Sequence, residues 1–538
     1  MYDYVIVGAG SAGCVLASRL SEDPDVKVLL LEAGPPDVNE NIHVPLGYLQ
    51  LGATEVDWDY HSAPESHCDG RRITLPRGKV LGGSSSINAM VYIRGNGLDY
   101  DDWGVAGWSW ADLLPYFIKA EDNERGASQL HGAGGPLPVS EERSHNRISH
   151  AFVEAGVQAG LARNEDFNGP RQDGVGMYQV TQREGMRAST AAAYLRPAME
   201  RPNLTVMPHM QVQRIVFEGT RAVGVLAAQL GTAQEFRAER EVILSAGAYN
   251  SPQLLMLSGI GEPEHLTMRE VEVLLEQPAV GENLSDHPAT QLVWTTPEPE
   301  SLLLALEPQA LAEYEATRTG PFASNFAEAG GFARVVAEAP APDTQFHVVP
   351  LQIIDEGTRD PEAHGVWVSP CLLTQHSRGS LRLASKDPSA KPIIHNAFYS
   401  VGDDMQRMIA GLRLALEICG QPAMSPYCAE PFNVPAEDSE EALRAHVQRT
   451  TFAIYHPVGT CRMGADPHAV VDEQLCVNGL QGLRVVDASV MPTVPRGNTN
   501  APTIALAERA ADLIRHGRAL LEPASTAAGE TVAQAAVA

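Results

Sequence analysis

The chain opens Tyr2-Asp-Tyr-Val-Ile-Val-Gly8-Ala-Gly10-Ser-Ala-Gly13, which places three glycines at G-x-G-x-x-G spacing directly behind an apolar run. A second apolar run, Val26-Lys-Val-Leu-Leu-Leu31, leads to Glu32, nineteen residues past the last glycine. The order is strand, tight turn, helix, strand, acid, and each part has a task in holding a dinucleotide. Gly8 permits the turn, Gly10 lets backbone approach a pyrophosphate, and Gly13 lets the helix lie close to the strand. The pyrophosphate then meets free N–H groups and the positive end of the helix dipole. Glu32 is placed to accept hydrogen bonds from a ribose hydroxyl. Glycine-rich turns are common, so the motif alone is weak; the register of strands, helix and acid makes it specific. Which dinucleotide is bound is not written in it.

At 538 residues the chain exceeds what one hydrophobic core supports, so two domains are expected. A formal net charge of −28 argues against nucleic acid and against docking on anionic lipid. No run of about eighteen apolar residues is present, so no membrane span is expected. The seven cysteines form no C-x-x-C pair, and neither a disulfide framework nor a metal site is expected. The first strand begins within three residues of Met1, so no signal peptide is expected. The expected location is cytoplasmic, with peripheral membrane association left open. Oligomeric state is not legible.

Along the chain, residues 204–246 alternate as short strands: Leu204–Met207, Gln211–Phe217, Ala222–Ala228 and Glu241–Ser245. Nucleotide-type glycine signals fade between about 290 and 450, where an amphipathic helix is expected at Asp403–Cys419. A short strand ending at Asp487 and a last helix from about Thr503 to His516 return the chain to its first unit. Residues 517–538, rich in Ala, Glu and Thr without a periodic face, read as a disordered tail.

Four further stretches stand out. Pro76–Gly95 contains five consecutive small residues, Gly82 to Ser86, which allow backbone to approach a flat ligand. Gly247-Ala-Tyr-Asn-Ser-Pro252 continuing to Gly261 is a glycine turn opening a helix after a strand. The others are Tyr455-His456-Pro-Val-Gly-Thr-Cys461-Arg-Met-Gly464 and Val486-Asp487-Ala-Ser489 continuing through Gly497-Asn498-Thr-Asn500-Ala-Pro502-Thr. With the N-terminal motif these resemble, in order and over nearly the whole chain, the signatures of the glucose–methanol–choline (GMC) family of FAD oxidoreductases. The resemblance is strongest to its alcohol and choline dehydrogenase branch.

That resemblance implies an α/β fold: a discontinuous Rossmann-like FAD-binding domain with a second, substrate-binding domain of sheet flanked by helices. The expected boundaries are 1–145, 196–290 and 455–516 for the first, and 146–195 with 291–454 for the second. It implies that Gly8, Gly10, Ser11, Ala12, Gly13, Glu32 and Ala33 hold the ADP half of FAD. Gly82, Gly83, Ser84, Asn88, Ala89, Met90 and Val91 would lie along the flavin, and Val212 near the adenine. Asp487 and Ala488 would lie by the pyrophosphate, and Ala246, Gly247, Asn498 and Thr499 would complete the cofactor contacts. His456 and Asn500 match the catalytic pair beside flavin N5.

The chemistry explains such a pair. Oxidising an alcohol removes a hydroxyl proton and passes a hydride from carbon to flavin N5. A neutral histidine takes the proton, and a carboxamide donates to the developing alkoxide. Pro502 suits a first helical turn, and the positive end of that helix would stabilise an anionic reduced flavin. Family members with covalent flavin can carry histidine before the position of Asn88; Ile87 stands here, so non-covalent FAD is expected. Val458 follows the His-Pro pair where choline dehydrogenases often have serine, which weakens a choline reading. A quaternary ammonium also wants an aromatic cage or a carboxylate; only Trp294 and Trp367 lie in the expected substrate domain, with Glu328 and His347 as candidate pocket residues. Asp286-His287 matches a family motif and reads as structural.

The expected reaction is oxidation of a primary, non-sugar alcohol, aliphatic or aryl, to the aldehyde. No second glycine fingerprint for NAD(P)H appears, so the electrons would pass to a quinone or artificial acceptor. The alternatives are an oxidase that uses O₂ and releases hydrogen peroxide, a choline dehydrogenase, and a hydroxynitrile lyase.

Overall fold

The computed structural model describes residues 1–357 and 359–517; apart from Gly517, the tail expected at 517–538 lies outside the described residues. Two sheets organise the chain, and one mixed α/β body carries them. The first sheet has seven strands in the order Leu204–Met207, Val28–Leu31, Tyr2–Val7, Thr232–Leu244, Arg221–Gln229, Gln211–Glu218, with Leu483–Val485 also pairing Thr232–Leu244. Its centre is parallel: Tyr2–Val7 runs alongside Val28–Leu31 and the end of Thr232–Leu244, and Leu204–Met207 and Leu483–Val485 extend it. Helix Ser11–Leu20 follows the glycine turn. Gly13 has no alternative there, because a Cβ would stand 1.9 Å from the carbonyl oxygen of Gly8.

The expected strand Glu241–Ser245 is the end of a longer one. Thr232–Leu244 pairs antiparallel with Arg221–Gln229 through residues 232–237 and parallel with Tyr2–Val7 through residues 241–244. The two halves differ in environment: the first is mostly exposed, whereas Val242, Ile243 and Leu244 are buried. A ribbon with one wet face therefore runs into a sheet covered on both sides.

The second sheet has eight strands. Glu430–Asn433, Leu292–Thr295, Gly365–Leu372, Thr344–Val349, Ala329–Ala333 and Gly174–Met177 form its path, Pro288–Ala289 joins at Gly365–Leu372, and Phe452–Ala453 pairs with Pro288–Ala289. Its two central strands are buried throughout and sort their side chains by alternation. Phe346, Val348, Val366 and Val368 belong to the large core, on the side where helix Asp404–Cys419 packs on Gly365–Leu372. Val349, Trp367 and Cys371 belong to a second apolar cluster with Val91, Phe452 and Leu351. That second face borders the cavity described next. The final helix spans Asn500–His516, three residues longer at its start than expected, so Pro502 is its third residue. In the first turn its missing N–H leaves no intrahelical bond unmade. Among the described residues no helix is long and apolar enough to cross a membrane.

Candidate active site

A cavity of about 840 Å³ runs from the glycine turn of the first sheet to the second apolar face of the other. Three helices point their N-terminal ends into it: Ser11–Leu20, Gly247–Leu257 and Asn500–His516, with Ser11, Gly247 and Asn500 themselves on its wall. Convergent helix N-termini concentrate positive potential and free N–H groups, which is what a pyrophosphate requires. Asn500 ties two of these ends together, its Nδ2 donating to Ser11 Oγ at 2.9 Å. Glu32 lies buried on the same wall, its carboxylate accepting from the N–H groups of Ala9 and Gly34, both at 2.8 Å. Burial lifts this carboxyl to about 7, against the pull of those N–H groups. A Cβ on Gly247 would meet nothing within 4 Å, so the glycine leaves backbone open to the cavity. This end has the donors, acid and bare backbone that fit the ADP half of FAD.

Most of the residues singled out by sequence line the cavity. Gly13 and Gly82 do not: Gly13 lies against Gly8, and Gly82, at φ +91°, would set a Cβ 2.2 Å from Ser86 Oγ. Both shape the turns that carry the lining residues. Ile87 is on the wall beside Asn88 and offers no nucleophile for a covalent flavin link.

At the other end stands His456. Its chain position is forced by Tyr455, a non-glycine residue at φ +67° whose carbonyl accepts from the Arg77 guanidinium at 2.7 Å. Met90 and Phe326, also on the wall, are left-handed too, at φ +56° and +77°. Such backbone costs of order 1–3 kcal/mol per residue and persists where surrounding structure over-determines it. Asp286 Oδ1 fixes two histidine main chains at once, accepting from the N–H of His287 and of His456, each at 2.8 Å.

The His456 ring has two polar neighbours. Its Nδ1 is 3.1 Å from His287 Nδ1, and its Nε2 is 3.2 Å from Asn498 Nδ2. His456 and Asn500 line the same cavity, and the asparagine hydrogen-bonded to the imidazole in this structure is Asn498, while the Asn500 amide donates to Ser11. The helix begins at Asn500, whose side chain reaches Ser11, while Asn498, two residues earlier, faces the imidazole. Gly497, at φ +143°, permits the approach; a Cβ there would stand 2.3 Å from Ile93 Cγ2. Sequence reasoning placed Asn498 among cofactor contacts and missed His287 as a ring partner, although the Asp286-His287 motif was in view. Gln345, which no sequence signal marked, donates to Asn498 Oδ1 at 3.2 Å.

Burial drives His456 well below the ordinary histidine range, and the neighbouring His287, His347 and Arg77 charges push the same way. His287 falls to about 3 and His347 to about 4, both through burial. Burial lifts Asp286 to about 7, opposed by its two N–H donors and Arg77. The imidazole beside the cavity is thus neutral and able to accept a proton at neutral pH.

His347 lines the cavity, but Glu328 does not. Its carboxylate accepts from the hydroxyls of Ser144, of Ser149 at 2.6 Å and of Ser324 at 2.5 Å, behind the second sheet's edge. Of the two tryptophans, Trp367 is on the wall, whereas Trp294 belongs to the opposite core.

The fold and this site define a flavin-type dinucleotide oxidoreductase with a histidine and a carboxamide at the far end of its cofactor cleft. Residues 2–289 and 375–507 match the N- and C-terminal models of GMC oxidoreductase, and the chain belongs to that family of FAD-dependent flavoproteins, in which non-covalent binding is the typical state. It is 44% identical to an alcohol dehydrogenase [acceptor] of Pseudomonas putida, over 96% of each chain. It is 43% identical to mitochondrial choline dehydrogenase of Mus musculus, covering 96% of this chain and 90% of that one. Among solved structures it is similar to pyridoxine 4-oxidase from Mesorbium loti, with TM-score 0.88 and 32% identity over 96% of this chain and 99% of that one. The two matched segments leave out residues 290–374, which supply Phe326, Val349, Leu351, Ile353 and Trp367 to the cavity wall.

Proposed function

We propose that this protein oxidises an uncharged primary alcohol to the aldehyde, with His456 as the base and Asn498 as its carboxamide partner. Bound FAD supplies the acceptor for the hydride. His456 Nε2 takes the hydroxyl proton as the hydride leaves carbon, and the Asn498 amide donates to the oxygen as negative charge gathers there. Asn500 instead braces the helix end at the pyrophosphate. Segments 1–145, 196–290 and 455–516 then carry FAD, and 146–195 with 291–454 carry the substrate wall.

The observation that carries the substrate class is the composition of that wall. Around His456 it is built by Phe326, Val349, Leu351, Ile353, Trp367, Phe452 and Ile454, the apolar face of the second sheet. The acids on the cavity are otherwise engaged: Glu32 and Asp487 sit at the cofactor end, Asp57 accepts from the N–H of Arg77, Asp59 pairs with Lys391, and Asp360 is exposed at the rim. Among the described residues no buried carboxylate of the apolar wall is placed to meet a quaternary ammonium, and this supports linear and aryl alcohols over choline.

The electrons pass to a quinone or other acceptor; the lack of a second dinucleotide fingerprint in the sequence and the Pseudomonas relative's name, alcohol dehydrogenase [acceptor], support an acceptor other than NAD(P). Anaerobic mixing with a panel of linear, aromatic and choline-type alcohols tests both points. Bleaching of the yellow colour by the uncharged alcohols and slow recolouring in air is the expected outcome. Bleaching by choline alone would overturn the substrate class, and rapid recolouring would replace the dehydrogenase with an oxidase.

A further inference from the structure

A chain of buried hydrogen bonds runs from the main-chain carbonyl of Phe346 to the His456 ring and on to His287. The Tyr178 hydroxyl donates to the carbonyl of Phe346 at 2.6 Å, so its oxygen is left only to accept. Gln345 Nε2 donates to that oxygen at 3.3 Å and, with the same amino group, to Asn498 Oδ1 at 3.2 Å. The carbonyl side of Asn498 being thus committed, its amino group faces His456 Nε2 at 3.2 Å. A nitrogen that meets an N–H donor presents its lone pair, so the single proton of a neutral His456 sits on Nδ1. That proton points at His287 Nδ1, 3.1 Å away, which must then be unprotonated. His287 then carries its own proton on Nε2, a buried atom without a hydrogen-bond partner.

We propose that Gln345 and His287 are positioning residues that select the Nδ1–H tautomer of His456, so that Nε2 presents a lone pair, held by the Asn498 amide until a substrate hydroxyl takes its place. Neither touches the substrate in this account. Gln345 sets the direction of the Asn498 amide, and His287 accepts from the far side of the ring. When Nε2 gains a proton, His287 Nδ1 still accepts from Nδ1–H and stabilises the charged ring. The two polar neighbours are buried, Gln345 at 0% and His287 at 0% exposure, so water does not substitute for either. The Asp-His-Pro sequence at 286–288 gains a role in chemistry rather than in packing alone.

This inference rests on the reading of His456 as the base, and the test separates the two. His456→Ala is measured first: normal alcohol turnover in that variant would remove the base itself. Given its loss, His287→Leu and His287→Asn are compared. Asparagine sets Oδ1 close to where Nδ1 stood and restores an acceptor, whereas leucine does not. The expected result is a kcat about tenfold lower in His287→Leu at unchanged KM, from loss of one hydrogen bond that biases the tautomer, and near-normal kcat in His287→Asn. Protein labelled with ¹⁵N-histidine gives a readout independent of turnover: the signal absent from His456→Ala should show a protonated Nδ1 and an unprotonated Nε2. In His287→Leu it should move toward a mixture. Should His287→Leu fail to fold, Gln345→Leu removes the opposite anchor and should give the same mixture. Equal kcat in the leucine and asparagine variants, or an unchanged His456 spectrum in both leucine variants, would overturn the proposal.

Discussion

Two buried histidine clusters show how one side chain is set to opposite tasks. At His131 every polar atom has an opposite charge to meet. Its Nδ1 is 3.1 Å from Glu121 Oε1 and its Nε2 2.9 Å from Asp166 Oδ2, while Arg94 bonds the other Glu121 oxygen at 2.6 Å. Burial alone would depress His131, but its hydrogen bonds to Asp166 and Glu121 outweigh burial and raise it to about 9. At His456 the neighbours are two more histidines and an arginine, and the ring falls below its ordinary range. Polar atoms also go unmet there: Asp286 Oδ2, His287 Nε2, His347 Nδ1 and Gln345 Oε1 are buried without hydrogen-bond partners. A saturated cluster holds a fixed charge and serves the fold. An under-paired one keeps its ring neutral and leaves bonding capacity for a ligand.

The largest effect that sharpens this contrast is loss of the reactive ring. His456→Ala should lower alcohol oxidation by about two to four orders of magnitude while the protein stays yellow and melts where the parent does. Turnover kinetics beside a visible spectrum check it; near-normal rates would place the base elsewhere. The matching blow to the saturated cluster acts on stability. Glu121→Gln leaves the Arg94 guanidinium, 1% exposed, without its counter-charge. Breaking such a pair costs about 3–5 kcal/mol, to be read from urea unfolding at neutral pH. A change below about 1 kcal/mol would show that Asp166 and Tyr92 suffice to hold the charge.

The asparagines come next. Asn498→Ala should lower kcat by about 10²- to 10³-fold, the usual loss on deleting a donor to developing negative charge. Asn500→Ala should change kcat by less than about tenfold and show instead in faster loss of flavin on dilution, since its partner is Ser11 at the pyrophosphate end. The reverse ranking would return Asn500 to the catalytic role that the sequence suggested.

That exchange shows where sequence reading runs out. The glycine turn, Glu32 and the first strands were legible because their geometry is local: a strand, a turn and a helix within about thirty residues. The motif around His456 drew attention to a residue that lines the cavity. Which partners Asn498 and Asn500 meet depends on the start of the final helix, at Asn500 rather than about Thr503, and helix boundaries are the least reliably read feature of a sequence. The His287–His456 contact spans 169 positions in sequence, so the motif at 286–288 could be seen but not its purpose. Glu328 was a candidate pocket residue because a quaternary ammonium would want a carboxylate. Ser144 and Ser149, nearly two hundred positions away, hold it elsewhere. Left-handed Tyr455 and Phe326 carry no signal of their own, since neither residue type favours that backbone.

The smallest effects are in pH, and the two clusters should respond in opposite senses. His131 stands at about 9 in the fold against an ordinary 6.5. Its contribution to stability is therefore complete below 6.5 and disappears as pH climbs through 9. Between pH 7 and 10 the melting temperature should fall by roughly 2–4 °C on this account, and His131→Asn should flatten that part of the curve. His456 is displaced downward, so protonation, not deprotonation, is what its surroundings resist. Alcohol oxidation should accordingly stay level as pH drops through 6.5, and its acid limb should appear only at lower pH. An acid limb centred at 6.5 would mean that the buried ring titrates as if it stood in water. The contrast between a charge-saturated and a charge-stripped histidine would then fail at its reactive end.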